Sequence, residues 1–253
     1  MAWLSRAATA LFIVALPVLL ITSNVRFLAG EVRFYERGFR VHDAAARTGL
    51  PLSELDRAAR EIIAYFENDA PALRIVVNDN GTEAALFSNR EVEHMRDVKT
   101  VMRLVFRANE VSLAYVLAFV TGVFLWNGAP LRGLAWRALG GVGAGAGVVL
   151  FVGVFALTGF ESTWRRFHEL VFTNDLWMLN PDTDRLIQMF PEAFWEESTY
   201  ILAAMTLAEV LIIVVAALGW IVFGRQPTPA ARGQAGSAGI RPVADDGDGS
   251  VVS

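Results

Sequence analysis

Four apolar blocks divide this chain: Ala7 to about Val25, Val111 to about Trp126, Leu139 to about Phe160, and Tyr200 to Phe223. Each is about long enough, at ~1.5 Å per helical residue, to approach or cross a ~30 Å hydrocarbon layer. A spanning segment must satisfy every backbone polar group internally, so each block is expected to be a helix. Pro17 in the first block is tolerable in a membrane helix. A cleaved signal peptide competes for that block, with Leu28-Ala29-Gly30 as a poor small-residue site, but the stretch is long for a signal core and is read as retained.

Hydrophobic residues make up 54% of the chain and charged residues 19%, with a mean hydropathy of +0.41. Both a soluble enzyme and a bare helix bundle are thereby excluded, because roughly two thirds of the residues remain outside four spans of ~20 residues. A net charge of -4 gives no argument for nucleic-acid binding. The sequence has no cysteine, which removes disulfides, thiolate metal sites and thiol nucleophiles.

Arginines in short loops set the expected orientation. Arg6 precedes the first span, Arg132 and Arg137 are read in the link between the second and third, and Arg225, Arg232 and Arg241 follow the fourth. The positive-inside rule assigns that side to the cytoplasm. Both termini are then cytoplasmic, and segments 30–110 and 161–199 form an extracytoplasmic cap. The chain is expected to be a multi-pass protein of the cell membrane. Residues 1–225 would form the integral membrane domain with its cap. The Pro-, Gly- and Asp-rich stretch 226–253 reads as a disordered cytoplasmic tail.

Within the spans, Gly141/Gly145 and Gly143/Gly147 are small-xxx-small pairs, read as packing within one chain with dimerisation as the alternative. Glu209, near the middle of the fourth span, is expected to be neutral, hydrogen-bonded and turned toward other helices. A structural bond is favoured for it over a proton or substrate role.

In the cap, Pro51-Leu52-Ser53-Glu54 opens a helix carrying Ala58, Ala59, Ile62, Ile63, Tyr65 and Phe66. Residues 73–77 and 84–87 flank an Asn-Gly turn and read as a hairpin. Ser88-Asn89-Arg90-Glu91 has capping-box form and starts an amphipathic helix expected over about 89–107. With Arg96, Lys99, Arg103 and Arg107 around it, that helix fits either the headgroup layer or a soluble cap packed on the hairpin. The second outer segment is read as extending the third span, with Trp164, Phe167, His168 and Val171 on one stripe. Trp177, Met178, Phe190, Phe194 and Trp195 fit an interfacial aromatic belt. Asp182 is expected to cap a short helix ending before Pro191. The fold class is therefore a membrane all-α protein with a small β element: four transmembrane helices plus a cap of helices and a short hairpin.

The three histidines are His42, His94 and His168. His94 shares a helical face with Glu91 and Asp97. A lone histidine on such a face is usually structural, whereas two at the outer membrane surface beside carboxylates suit acyl transfer, where imidazole carries protons near neutrality.

The blocks Glu91-Val92-Glu93-His94-Met95-Arg96-Asp97-Val98-Lys99 and Phe167-His168-Glu169-Leu170-Val171-Phe172-Thr173-Asn174-Asp175-Leu176-Trp177 resemble those of a bacterial four-helix membrane family. So does Pro181-Asp182-Thr183-Asp184-Arg185-Leu186 with its continuation to Phe194. The characterised members of that family are the lipoprotein intramolecular transacylases (Lit), and the likeness runs from residue 1 to about 225. The resemblance implies an acyltransferase that moves the sn-2 acyl chain of a diacylglyceryl-cysteine lipoprotein onto that cysteine's own α-amino group. The partners it implies are the bilayer and the lipidated N-termini of bacterial lipoproteins. It also implies that His94 and His168 are catalytic, one as base and one as acid; His42 falls outside the matching blocks. Glu91, Asp97, Glu169 and Asp175 are candidate orienting carboxylates, and Asn174 is a candidate oxyanion donor. No cofactor and no metal are expected for this chemistry. Two alternatives stand beside it: a hydrolase with His94, His168 and Asp97 or Asp175 around a metal, and a membrane-anchored assembly protein with structural histidines.

Overall fold

In a computed structural model, which describes residues 2–79, 81–127 and 131–224, the chain is a membrane bundle with a helical cap. Four helices are long and apolar enough to cross a membrane: α1 (Ala2–Gly30), α5 (Asn89–Asn127), α6 (Leu131–Thr158) and α9 (Glu192–Phe223). Between α1 and α5 lie α2 (Val32–Val41), α3 (Ala44–Thr48), α4 (Leu52–Glu67) and an antiparallel hairpin of β1 (Val76–Asp79) and β2 (Thr82–Ala85). Between α6 and α9 lie α7 (Phe160–Val171) and α8 (Arg185–Met189). The tail, Arg225, Arg232, Arg241 and Asn80 of the hairpin turn lie outside the described residues.

The spans run longer than hydropathy alone marks. The helix expected over 89–107 and the span expected from Val111 form one helix of 39 residues, roughly 58 Å long and nearly twice the hydrocarbon thickness. Ala108, Asn109 and Glu110 supply neither glycine nor proline, so nothing stops the turn-to-turn hydrogen bonding. The cap-side half of α5 therefore does not lie flat among headgroups. Its cations turn onto the chain that follows α4: Lys99 donates to Ala70 O at 2.8 Å and to Asn68 Oδ1 at 3.2 Å. Arg103 bonds Asn68 O and Asp69, and Arg96 bonds Pro71 O.

Three further boundaries differ from expectation. The third span ends at Thr158 and does not extend into the next helix, because Gly159, at φ 148°, breaks α6 from α7. Arg132 and Arg137 lie inside α6 rather than in a link. Asp184, not Asp182, precedes α8, which does end before Pro191.

The cap closes over one core drawn from α2, α3, α4, the hairpin, the start of α5, α8 and Phe194 of α9. Phe39, Leu55, Ala58 and Met189 are fully buried there, and a large side chain so buried contributes about 1.5–3 kcal/mol. Gly38 of α2 admits the Phe194 ring where a Cβ would collide with it. In the bundle, α6 packs on α1 and α9. A Cβ on Gly145 would stand 2.8 Å from Pro17 Cβ, and one on Gly141 3.0 Å from Leu16. The Gly141/Gly145 pair thus serves packing within the chain, while Gly143 and Gly147 meet nothing within 4 Å.

Candidate functional site

The site forms where the cap meets the bundle, from the first turns of α5 and the last turns of α7. Ser88 begins α5 as expected of a capping box: its N–H donates to Glu91 Oε2 at 2.7 Å, and Glu91 N–H faces Ser88 Oγ at 3.4 Å. The second Glu91 oxygen accepts from Leu186 N–H, at the start of α8, at 2.7 Å. Glu91 is only 2% exposed. Its carboxylate binds two backbone amides and locks α5 to α8. It positions the helix that carries His94 one turn later.

His94 and His168 are 6% and 8% exposed, and their ring centroids stand 6.3 Å apart. Aromatic rings enclose the pair. Phe172 lies 5.2 Å from His94 and 5.6 Å from His168, while Trp164 and Trp177 lie 4.6 and 5.0 Å from His168. Trp164 in turn stacks on Trp195 of α9 at 5.0 Å and on Phe160 at 5.8 Å.

Each imidazole has a defined electrostatic setting. His168 Nδ1 lies 2.8 Å from Trp164 O. A carbonyl only accepts, so Nδ1 carries the proton and Nε2 the lone pair. Burial lowers the His168 pKa, and the carbonyl bond pulls it partly back up. Among the described residues, His94 Nδ1 is buried without a hydrogen-bond partner. Burial first, then the neighbouring His168, push its pKa down to about 4 against the opposing pull of Asp97. His94 is therefore neutral at pH 7.

The loop after α7 is fastened over these rings. Asn174 Nδ2 donates to Asp97 Oδ2 at 2.9 Å, while Asn174 Oδ1 accepts from Leu176 N–H at 3.0 Å. Arg90 Nη2 donates to Asp175 O at 2.6 Å and its Nε reaches Leu176 O at 3.5 Å. Of the residues singled out in the sequence, His94, His168, Asp97 and Asn174 thus come together. Asn174 holds the loop to Asp97, which sets one of its two N–H groups on that carboxylate. The side chains of Glu169 and Asp175 are exposed, and Glu91 sits behind the site on amides. Arg90 carries no chemical motif, and its part in holding the loop is visible only once the fold brings α5 beside it. His42 lies elsewhere: its Nε2 is 2.9 Å from Glu197 of α9, and its ring packs on Phe194. Among the described residues, no three His, Asp or Glu side chains gather as a metal site.

A family model described as lipoprotein intramolecular transacylase Lit matches residues 10–195, which include both buried histidines. The chain belongs to the Lit family. Among solved structures it is similar to the membrane integral lipoprotein intramolecular transacylase Lit from Bacillus cereus, with a TM-score of 0.70 at 16% identity, covering 88% of this chain and 97% of that one. A variant of the same Bacillus protein with one histidine changed to arginine matches at a TM-score of 0.68 and 16% identity, covering 87% and 93%. At this identity the likeness carries the fold. An uncharacterized protein of Aquifex aeolicus (strain VF5) is 29% identical over 160 residues, 58% of this chain and 68% of that one. The chain is therefore a multi-pass membrane protein with the Lit fold.

Proposed function

We propose that this chain is a lipoprotein intramolecular transacylase, acting on the diacylglyceryl-cysteine at a lipoprotein N-terminus. The observation that carries the reading is the meeting of His94 and His168, from separate cap segments, inside an aromatic enclosure at the membrane edge. In this reading the cap is extracytoplasmic and both termini are cytoplasmic, as the arginine distribution favours.

The substrate supplies its own nucleophile, an α-amine whose pKa of roughly 7.7–8.0 leaves a useful neutral fraction. The chain, which has no cysteine, needs to provide proximity and proton transfer. The amine nitrogen attacks the sn-2 ester carbonyl carbon, forming a C–N bond. His168 Nε2, whose lone pair is fixed by the Trp164 carbonyl bond on the other nitrogen, takes the amine proton. As the C–O bond breaks, the glycerol oxygen receives a proton through His94. The amine proton thus ends on the alcohol, and ester plus amine become alcohol plus amide with no water consumed. Asp97 stabilises charge near His94, and Asn174 and Arg90 position the loop that carries Trp177. The aromatic rings exclude water that would hydrolyse the ester.

The test is expression in a host making diacylated lipoproteins, followed by mass spectrometry of their N-terminal peptides. The unaltered chain is expected to give lyso-form lipoprotein with an N-acylated cysteine. His94→Ala and His168→Ala, each still folded by size exclusion and circular dichroism, are expected to lose about 100-fold or more of that transfer. Full transfer by either variant overturns the assignment.

A further inference from the structure

On the bundle side of the cap, a groove with a cavity of about 120 Å³ opens between α1, α6 and α9. Ile21, Val149, Gly153, Leu202, Ala203 and Thr206 line it. We infer that this groove receives the acyl chain being transferred and sets which chain lengths are moved. The inference rests on the transacylase reading and adds a specificity site to it.

Continuity with the site is the first argument. Trp195, Thr199, Leu202 and Thr206 follow at four-, three- and four-residue steps, and so form one stripe of α9. Its uppermost ring, Trp195, stacks on Trp164, and Trp164 contacts His168. On the facing wall, α6 leads from Val149 and Gly153 toward Phe160, which stacks on the same Trp164. An ester carbonyl held at the imidazoles therefore directs its hydrocarbon tail into the top of the groove.

The chemistry of the lining is the second argument. Its hydroxyls are already spent: Thr199 Oγ1 donates to Trp195 O at 2.9 Å, Thr206 Oγ1 to Leu202 O at 2.9 Å and Tyr200 Oη to Glu196 Oε1 at 2.9 Å. What remains is hydrocarbon, which suits an alkyl chain and no polar ligand. The third argument is size. From Trp195 to Thr206 the helix rises roughly 16 Å, about one leaflet of a ~30 Å hydrocarbon core. At the lower end, Asn24 Nδ2 bonds Thr206 Oγ1 at 3.1 Å and Glu209 Oε2 at 3.0 Å. That polar knot ties α1 to α9 beside the groove. A Cβ built on Gly153 meets nothing within 4 Å, so the space beside it is open and a larger side chain would fill it.

The experiment uses the full chain in lipid vesicles with two diacylglyceryl-cysteine lipopeptides, one octanoyl and one palmitoyl at sn-2. Wild type is compared with Gly153→Phe and Ala203→Phe, which narrow the groove from opposite walls. Palmitoyl transfer is expected to fall relative to octanoyl transfer by roughly tenfold or more in each variant, because several methylenes lose their burial. Should the phenylalanine variants not fold, Gly153→Val and Ala203→Leu carry the same test with a smaller change in that ratio. An unchanged ratio in folded variants overturns the inference and leaves the groove to bulk lipid, while the transacylase reading stands. Wild type that transfers neither chain overturns the transacylase reading itself.

Discussion

The cap and the bundle solve the same packing problem against different media. In the cap, Phe39, Leu55, Tyr65, Ile75 and Met189 are almost wholly buried in one continuous core. In the bundle, the buried cluster comprises Phe12, Leu16 and Val142 with partly buried neighbours such as Phe119 and Val210. Large apolar side chains gain little by leaving lipid for another helix, so the bundle relies on close backbone approach at Gly141 and Gly145 and on polar pairs between helices. In the cap, water drives burial and polar groups tie the pieces together. The histidine pair lies at the seam, where a water-driven core and a lipid-facing bundle meet. Two carboxylates mark the contrast: Glu91 serves two backbone amides in the cap, and Glu209 serves one side-chain amide in the bundle.

The largest effect is expected at Glu91. Replacing it by alanine leaves the buried Leu186 amide without its acceptor, which costs about 1–3 kcal/mol, and removes the capping bond to the Ser88 amide, worth about 0.5–2 kcal/mol. The loss is expected in the cap and not in the bundle. Hydrogen exchange resolved by peptide checks it: protection should fall around residues 86–95 and 184–190 while the first half of α6 stays protected. Equal loss in both regions would show that the two parts unfold as one unit and erase the distinction.

Next comes pH. The His94 pKa is held down at about 4 in the folded chain against 6.5 for a free side chain. Between those values the unfolded chain binds the extra proton, so cap stability is full above about pH 6.5 and falls as pH drops toward 4. The change is on the order of 3 kcal/mol. Thermal unfolding from pH 7.5 to 4.5 checks it, and His94→Gln should remove that part of the acid slope. A slope that survives the substitution assigns the acid sensitivity to other groups.

The spans were legible because a membrane demands some twenty apolar residues in succession, and that demand is written locally. The capping box at Ser88 and the hairpin were legible for the same reason, since their partners are near in sequence. The continuity of α5 was not, because its charged half and its apolar half look like two different helices until the loop after α4 neutralises the cations. Nor was the job of Glu91, whose second partner, Leu186, sits at the far end of the chain. The histidines were recognisable as a matching pair, yet their approach depends on the turn at Gly159 and on Arg90 and Asp97 holding the loop after α7. These are long-range facts that no periodicity records.

A smaller effect is expected in the bundle at Gly145. Leucine there would press on Pro17 and force α1 from α6, an overpacking cost of about 1–3 kcal/mol. Gly143→Leu, whose Cβ would meet nothing within 4 Å, should be nearly neutral. The difference in melting temperature between the two detergent-solubilised variants measures how far backbone approach carries the bundle. Equal melting temperatures would mean that α1 and α6 yield without cost.

The smallest effect is expected at Glu209. Its one hydrogen bond within the described residues is the 3.0 Å contact accepted from Asn24 Nδ2, and a glutamine carbonyl at the same place accepts that bond equally well. Interhelical side-chain bonds in membranes average about 0.6 kcal/mol, so Glu209→Gln should leave melting temperature and acyl transfer nearly unchanged. Glu209→Leu removes the acceptor and should cost up to about 1.7 kcal/mol, the upper end for such bonds. Parallel measurement of transfer and unfolding separates the two roles considered for this carboxyl. If Glu209→Gln keeps its stability but loses transfer, the group moves a proton, and the bundle takes part in the chemistry proposed for the histidine pair.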